Sequence, residues 1–198
     1  MPTRRLLRLV AAGGFWVGLI LAGALPAVGQ DDATDLDRLV KTLGLTAGQT
    51  VAEIGAGSGT LTVGVARVVG PTGTVYGNEL DPRQRKAIAR AAERAGVGNV
   101  TVIEGRETET NLPAACCHAV FMRNVYHHVT DRAAMNGSLL ASLVPGGRIA
   151  VIDFPPRGSH GVSEAVVRAE LARAGFEAVE LVASGARWFM VTGTRPGR

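Results

Sequence analysis

Two acidic residues and a run of glycines hold the clearest chemistry in this sequence. Glu53-Ile54-Gly55-Ala56-Gly57-Ser58-Gly59-Thr60 closes an otherwise apolar stretch that begins at Thr50. Glycines let a chain turn tightly and let a ligand approach the backbone with no Cβ between. Here they stand at i, i+2 and i+4, whereas the dinucleotide fingerprint has its third at i+5, which is Thr60. A carboxylate such as Glu53 is costly to bury alone, so it needs a polar or cationic partner at the mouth of its strand. Glu79 lies 20 residues after Gly59, where a carboxylate can accept the hydroxyl protons of a ribose diol. Together these residues point to a nucleoside carrying a small polar tail. His127 and His128 are candidates for taking a proton from a substrate, since imidazole titrates near neutral pH. The plainer reading is that they pack at the start of a loop. No metal set is expected, because neighbouring side chains diverge and no third ligand is evident.

The elements that must position these groups alternate between strand-length apolar runs and helical periods. Leu36, Leu39, Val40 and Leu43 mark one face of a helix over 35–43. Strands are expected at 50–54, 74–80, 100–103, 119–122 and 148–153, with helices at 60–69, 82–95, 131–143 and 163–174. Asp81 followed by Pro82 is a strong helix start. The polar stretch 106–115 has little helical character, and Pro145-Gly146-Gly147 ends the helix over 131–143. The closing runs 178–182 and 188–192 have nothing helical between them and form an antiparallel hairpin, with Trp188 and Phe189 as core residues. The expected fold is α/β, a doubly wound, mainly parallel seven-stranded sheet with that hairpin at its C-terminus.

Composition narrows the function classes. A chain of 198 residues that is 46% apolar builds one substantial core. Its formal charge is +4, yet Arg4, Arg5 and Arg8 are the only charges before Asp31; without them 18 basic residues face 17 acidic ones. A near-neutral body lacks the electrostatic footprint of a nucleic-acid binder. Residues 1–30 read as a segment apart: three arginines, an uncharged run strongest at Phe15–Leu25, then Pro26, Ala27 and Gly29. That order fits an export signal, and Thr3-Arg4-Arg5-Leu6-Leu7-Arg8 resembles a twin-arginine one. The alternatives are a membrane anchor through residues 9–29, about 20 apolar residues being enough to span a bilayer, or a misplaced start codon and a cytoplasmic protein. Residues 31–198 form the single domain. Cys116 and Cys117 are expected as two unpaired small residues before a buried strand, because neighbouring cysteines rarely bridge.

The motifs and their order resemble the class I S-adenosylmethionine-dependent methyltransferases of the small single-domain type. The resemblance runs from about Asp35 to the end, through the glycine motif, Val75-Tyr76-Gly77-Asn78-Glu79, the segment Phe121–Val129, and Leu143-Val144-Pro145-Gly146-Gly147-Arg148. It implies S-adenosyl-L-methionine as cofactor. Gly55, Ala56, Gly57 and Gly59 would line its methionine part, and Glu53 would join the network around its amino group. Glu79 would bind the ribose, with Leu80 beside it. The backbone around Arg123 and Asn124 would lie beside the methionine tail and the acceptor. Members usually carry Asp after the glycine that ends strand three, facing the adenine amino group; here Arg106 follows Gly105, and Glu107 is the nearest acid. Members also often carry Asp where this chain has His118. Two readings follow. One is methyl transfer to a small-molecule acceptor. The other is an exported, non-catalytic protein of the same fold that binds a nucleoside or a partner, since the cofactor is made in the cytoplasm.

Overall fold

The computed structural model describes residues 30–197. The signal or anchor expected over residues 1–29 lies outside the described residues, and among those described no helix is long and apolar enough to cross a membrane. The chain runs α1 (Gln30–Leu43), β1 (Thr50–Ile54), α2 (Thr60–Val69), β2 (Thr74–Glu79), α3 (Pro82–Ala95), β3 (Val100–Glu104), β4 (Cys117–Arg123), a 3-10 turn (Tyr126–His128), α4 (Arg132–Ser142), β5 (Leu143–Asp153), α5 (Glu164–Arg173), β6 (Glu177–Gly185) and β7 (Trp188–Thr194). These strands make one seven-stranded sheet in the order β3-β2-β1-β4-β5-β7-β6. All pairings are parallel except those of β7 with β5 and with β6.

Strand residues alternate between two faces, and each face has its own core. Ala52, Ile54, Val120, Met122, Ile149 and Val151 pack beneath α4 and α5, against Met135, Leu139, Val167 and Leu171. Val51, Ala119, Phe121, Ala150 and Ile152 pack beneath α1 and α2, against Leu39, Leu43, Leu61 and Val65. Fully burying one such side chain contributes about 1.5–3 kcal/mol. The same parity puts Glu53 on the α2 face, next to Val51. Because β1, β2 and β4 run parallel and in register, their carboxyl ends open side by side at one edge of the sheet.

Two boundaries and one pairing stand out against expectation. Among the described residues helix α1 runs from Gln30, ahead of the apolar period, and Asp31 and Asp32 in its first turn suit the positive end of the helix dipole. Strand β5 starts at Leu143 and absorbs Pro145-Gly146-Gly147, since Gly146 N donates to Arg195 O and Arg195 N to Gly147 O at 3.0 and 2.8 Å. Cys116 and Cys117 are joined as a disulfide between neighbours, not left unpaired. Ala115, with φ 47°, turns the chain there, and Ala115 N and Cys116 N are held by Ala141 O and Ser142 O.

Gly59 shows how the glycine cluster serves the fold. It has φ 82°, and a Cβ there would lie 3.0 Å from the Cα of Ile88 on α3. Ile88 is fully buried between Gly59 and Gly77. Replacing Gly59 with Ala meets both a left-handed backbone, worth about 1–2 kcal/mol, and a contact with main chain that cannot move aside. Urea unfolding of Gly59→Ala should show a loss of at least that size; an unchanged midpoint would mean that α3 does not rely on this contact.

Candidate functional site

The turn after β1 is held by its neighbour. Gly55 N and Ala56 N both donate to Asn78 O, at 2.9 and 3.0 Å, which ties the loop to the end of β2. Gly55 has φ 70°, and a Cβ there would collide with the side chain of Val125. Gly57 has φ 53° and nothing within 4 Å of where its Cβ would be. The backbone at Gly57 is therefore bare, as a ligand-facing loop requires. Its N–H donates to Glu79 Oε2 at 2.9 Å. The other oxygen, Oε1, accepts from Leu80 N at 2.8 Å and Asp81 N at 3.3 Å. A carboxylate has about four acceptor positions, so Glu79 retains one for a hydroxyl.

Two cavities meet at Gly55. One, of about 230 Å³, is polar and is bordered by Glu53, Ala56, Gly57, Arg123 and Asn124. The other, of about 240 Å³, is walled by Leu80, Met122, Val125, Val129 and Met135, with Arg106, Glu107 and His128 at its polar edge. Glu79 lines neither, but it accepts from the N–H of Gly57, which borders the polar cavity, and from that of Leu80, which borders the apolar one. Gly59 borders neither cavity; it is buried against Ile88.

Glu53 is 3% exposed and accepts from Thr62 Oγ1 of α2 at 2.5 Å. The polar partner expected at the strand's mouth is thus a hydroxyl. Burial pushes its carboxyl up to about 8, although the Thr62 bonds and the charge of Arg123 act in the opposite direction. Arg123 is held by α1: its Nη1 lies 3.0 Å from Asp32 Oδ1 and its Nε 2.8 Å from Asp35 Oδ2. Asn124 follows in the left-handed region, φ 57°, a conformation that Asn tolerates better than most residues.

The two histidine rings lie in contact, their centroids 3.9 Å apart, but their other partners differ. His127 is nearly buried, with Nδ1 2.8 Å from Asp153 Oδ1 and its backbone N donating to Asp153 Oδ2 at 3.1 Å. Its ring packs on Phe154 at 4.6 Å. It borders neither cavity, whereas His128 borders the apolar one. Arg106 Nη1 pairs with Glu109 Oε1 at 2.5 Å, and Glu107, which makes no ion pair among the described residues, borders the same cavity edge. His118 sits at the opposite end of the sheet, where its Nδ1 accepts from Thr50 N at 3.0 Å. Its substitution for Asp therefore does not touch the adenine end. Asp32, Asp35 and Asp153 were not singled out in the sequence. An acid closing an apolar strand marks Asp153 as it marks Glu53, but nothing local ties the α1 acids to Arg123, 88 residues away.

Comparison with known proteins agrees with this geometry. Residues 51–147 match the protein family described as a methyltransferase domain. The "Ubiquinone/menaquinone biosynthesis C-methyltransferase UbiE" of Psychromonas ingrahamii is 30% identical over 112 residues, 56% of this chain and 45% of that protein. The chain thus spans about half the length of the curated relatives it matches. A SAM-dependent methyltransferase from Aquifex aeolicus superposes with TM-score 0.75 at 25% identity, covering 81% of this chain and 89% of that one. The YcgJ protein from Bacillus subtilis shares the fold, with TM-score 0.72 at 14% identity over 83% and 99% of the two chains. The chain carries a class I S-adenosylmethionine-dependent methyltransferase domain. S-adenosyl-L-methionine is accordingly its cofactor, and the bare loop at Gly57 and the unfilled acceptor position on Glu79 fit that molecule.

The methyltransferase's buried Glu53 has a consequence for stability. Its folded pKa lies above the unfolded value, so the folded state keeps a proton that the unfolded chain loses between about pH 4.5 and 8. The stability associated with the neutral carboxyl is complete below pH 4.5 and gone above pH 8. Glu53→Gln keeps an acceptor for Thr62 but cannot ionise. From pH 5 to pH 9 it should gain about 2–4 kcal/mol relative to the parent in chemical unfolding; parallel stability curves would contradict this account of Glu53.

Proposed function

We propose that this domain transfers a methyl group from S-adenosyl-L-methionine to a small-molecule acceptor. The observation that carries the proposal is the bonding of Glu79, whose carboxylate accepts from Gly57 N at the polar cavity and from Leu80 N at the apolar one. That order of surfaces matches an amino acid tail, a ribose and a purine. Glu53 and the backbone of Gly55, Ala56 and Gly57 take the amino acid end. Glu53 ionises when a cationic ammonium group replaces the missing counter-charge. Glu79 takes a ribose hydroxyl. Leu80, Met122, Val125 and Val129 enclose the base, and Glu107 supplies the acceptor for its amino group that Arg106 cannot.

When bound, the cofactor supplies a methyl group on a cationic sulfur, a leaving group already activated by its charge. The protein's task is then largely positional, and orientation alone can lower a barrier by about 7–11 kcal/mol. Arg123, clamped by Asp32 and Asp35, and Asn124, in its left-handed conformation, line both the polar cavity and the space beyond it. His127 acts as a positioning residue, held with Asp153 beneath the loop that follows β5. His128 borders the apolar cavity assigned to the base. The curated relatives act, by their names, in quinone biosynthesis, which supports a small organic acceptor here.

The test is calorimetry of the full-length chain with S-adenosylhomocysteine. Binding should be saturable, and Glu79→Gln and Glu79→Ala should each weaken it by about 10–100-fold, the worth of a hydrogen bond to a charged group. No heat at millimolar ligand would overturn the proposal and leave a scaffold that binds something else.

A further inference from the structure

A third cavity, of about 600 Å³, adjoins the polar one and shares Arg123 and Asn124 with it. The outer chamber and the cavity assigned to the cofactor's amino acid end therefore border one another at these two residues. Its lining is unusual for a domain with a near-neutral body: four arginines, Arg38, Arg123, Arg157 and Arg187, against two aspartates, Asp31 and Asp35. Arg38 is neutralised by Asp35 at 2.7 Å, and Arg123 by Asp32 and Asp35. Arg157 and Arg187 make no ion pair among the described residues. The remaining lining acid, Asp31, is exposed at the first turn of α1 and offsets only one of them.

Both unpaired arginines come from short, well-tied turns. Arg157 N donates to His160 O at 2.7 Å, and His160 N returns a bond to Arg157 O at 3.2 Å, which closes the loop after β5. Arg187 sits in the turn between β6 and β7, whose ends Gly185 and Trp188 are paired. Two aromatic rings complete the lining. Trp188 is covered on one side by the guanidinium of Arg38, 4.1 Å from the ring centroid, and Phe154 is backed by His127. Flat apolar walls favour a flat ligand, and planar guanidinium groups bind carboxylates and phosphates by paired N–H bonds.

We infer that the outer chamber takes a small aromatic acceptor bearing an anionic group, which Arg157 and Arg187 grip while its ring lies along Phe154 and Trp188. This rests on the methyl-transfer reading, since it names the acceptor class for that same site. Neither arginine belongs to the cofactor cavities, so the two ideas can fail separately.

The experiment is calorimetry of the full-length chain, with S-adenosylhomocysteine bound, using 4-hydroxybenzoate, phenyl phosphate and the neutral 4-hydroxybenzamide as probes. At least one anion should bind more tightly than the amide, and added salt should weaken it. Whichever anion binds better shows whether the grip suits a carboxylate or a phosphate. Arg157→Gln and Arg187→Gln should each weaken that anion by about three- to tenfold, and the double variant should abolish the preference over the amide. Affinity for S-adenosylhomocysteine should not change in these variants. Equal binding of amide and anions, no binding of any probe, or full anion affinity in the double variant would overturn the inference. Anion binding without any binding of S-adenosylhomocysteine would instead overturn the methyl-transfer reading.

Discussion

The site depends on one bond across two strands, from the N–H of Gly57 to the carboxylate of Glu79. Parallel pairing of β1 and β2 places Ile54 beside Asn78, so the loop after β1 and the acid after Asn78 emerge together. Asn78 O then takes the N–H groups of Gly55 and Ala56. With those donors satisfied by β2, the loop cannot relax into the space it borders. Gly55 is a glycine because Val125 occupies the place of its side chain, and Gly59 because Ile88 does; Gly57 alone faces open space. One short motif thus combines two packing requirements and one binding requirement.

A second dependence runs through charge. Glu53 lies on the α2 face by strand parity, fully inside, with a hydroxyl for company. The cation that would ordinarily compensate it, Arg123, is held by Asp32 and Asp35 instead. A buried carboxyl whose nearest cation is already committed is poised to accept a cationic ligand, because the ligand's charge offsets the cost of ionising it. The first turn of α1 is therefore part of the site even though it touches neither the glycine loop nor Glu79. Aspartates placed there suit the helix dipole and also restrain Arg123, which lines both the polar cavity and the outer chamber.

Much of this was legible in the sequence. Strand parity, the glycine spacing and the acids that end apolar runs are local signals, and they located β1, β2, Gly57, Glu53 and Glu79 without a structure. What escaped depends on contacts between distant segments. The first turn of α1 was hidden because it carries charge at Asp31 and Asp32, not apolar period. The partnership of Arg123 with Asp35 spans most of the domain. His127 and His128 look equivalent as neighbours, yet a 3-10 turn sends them to different surroundings, one to Asp153 and one to the apolar cavity. Pro145-Gly146-Gly147 reads as a turn in isolation and becomes part of β5 only because the end of β7 pairs with it. His118 stands where members of the family often carry Asp, but the direction of β4 carries it to the far end of the sheet.

The central claim is that Glu79 and the bare loop at Gly57 share one adenosyl ligand between the two cavities. A crystal structure of the full-length chain with S-adenosylhomocysteine tests it most directly. The account predicts a ribose hydroxyl within hydrogen-bond distance of Glu79, the purine between Leu80 and Val129, and the ammonium group beside Glu53. A nucleoside bound elsewhere, or a Glu79 carboxylate that keeps its three N–H partners and ignores the ribose, would contradict it.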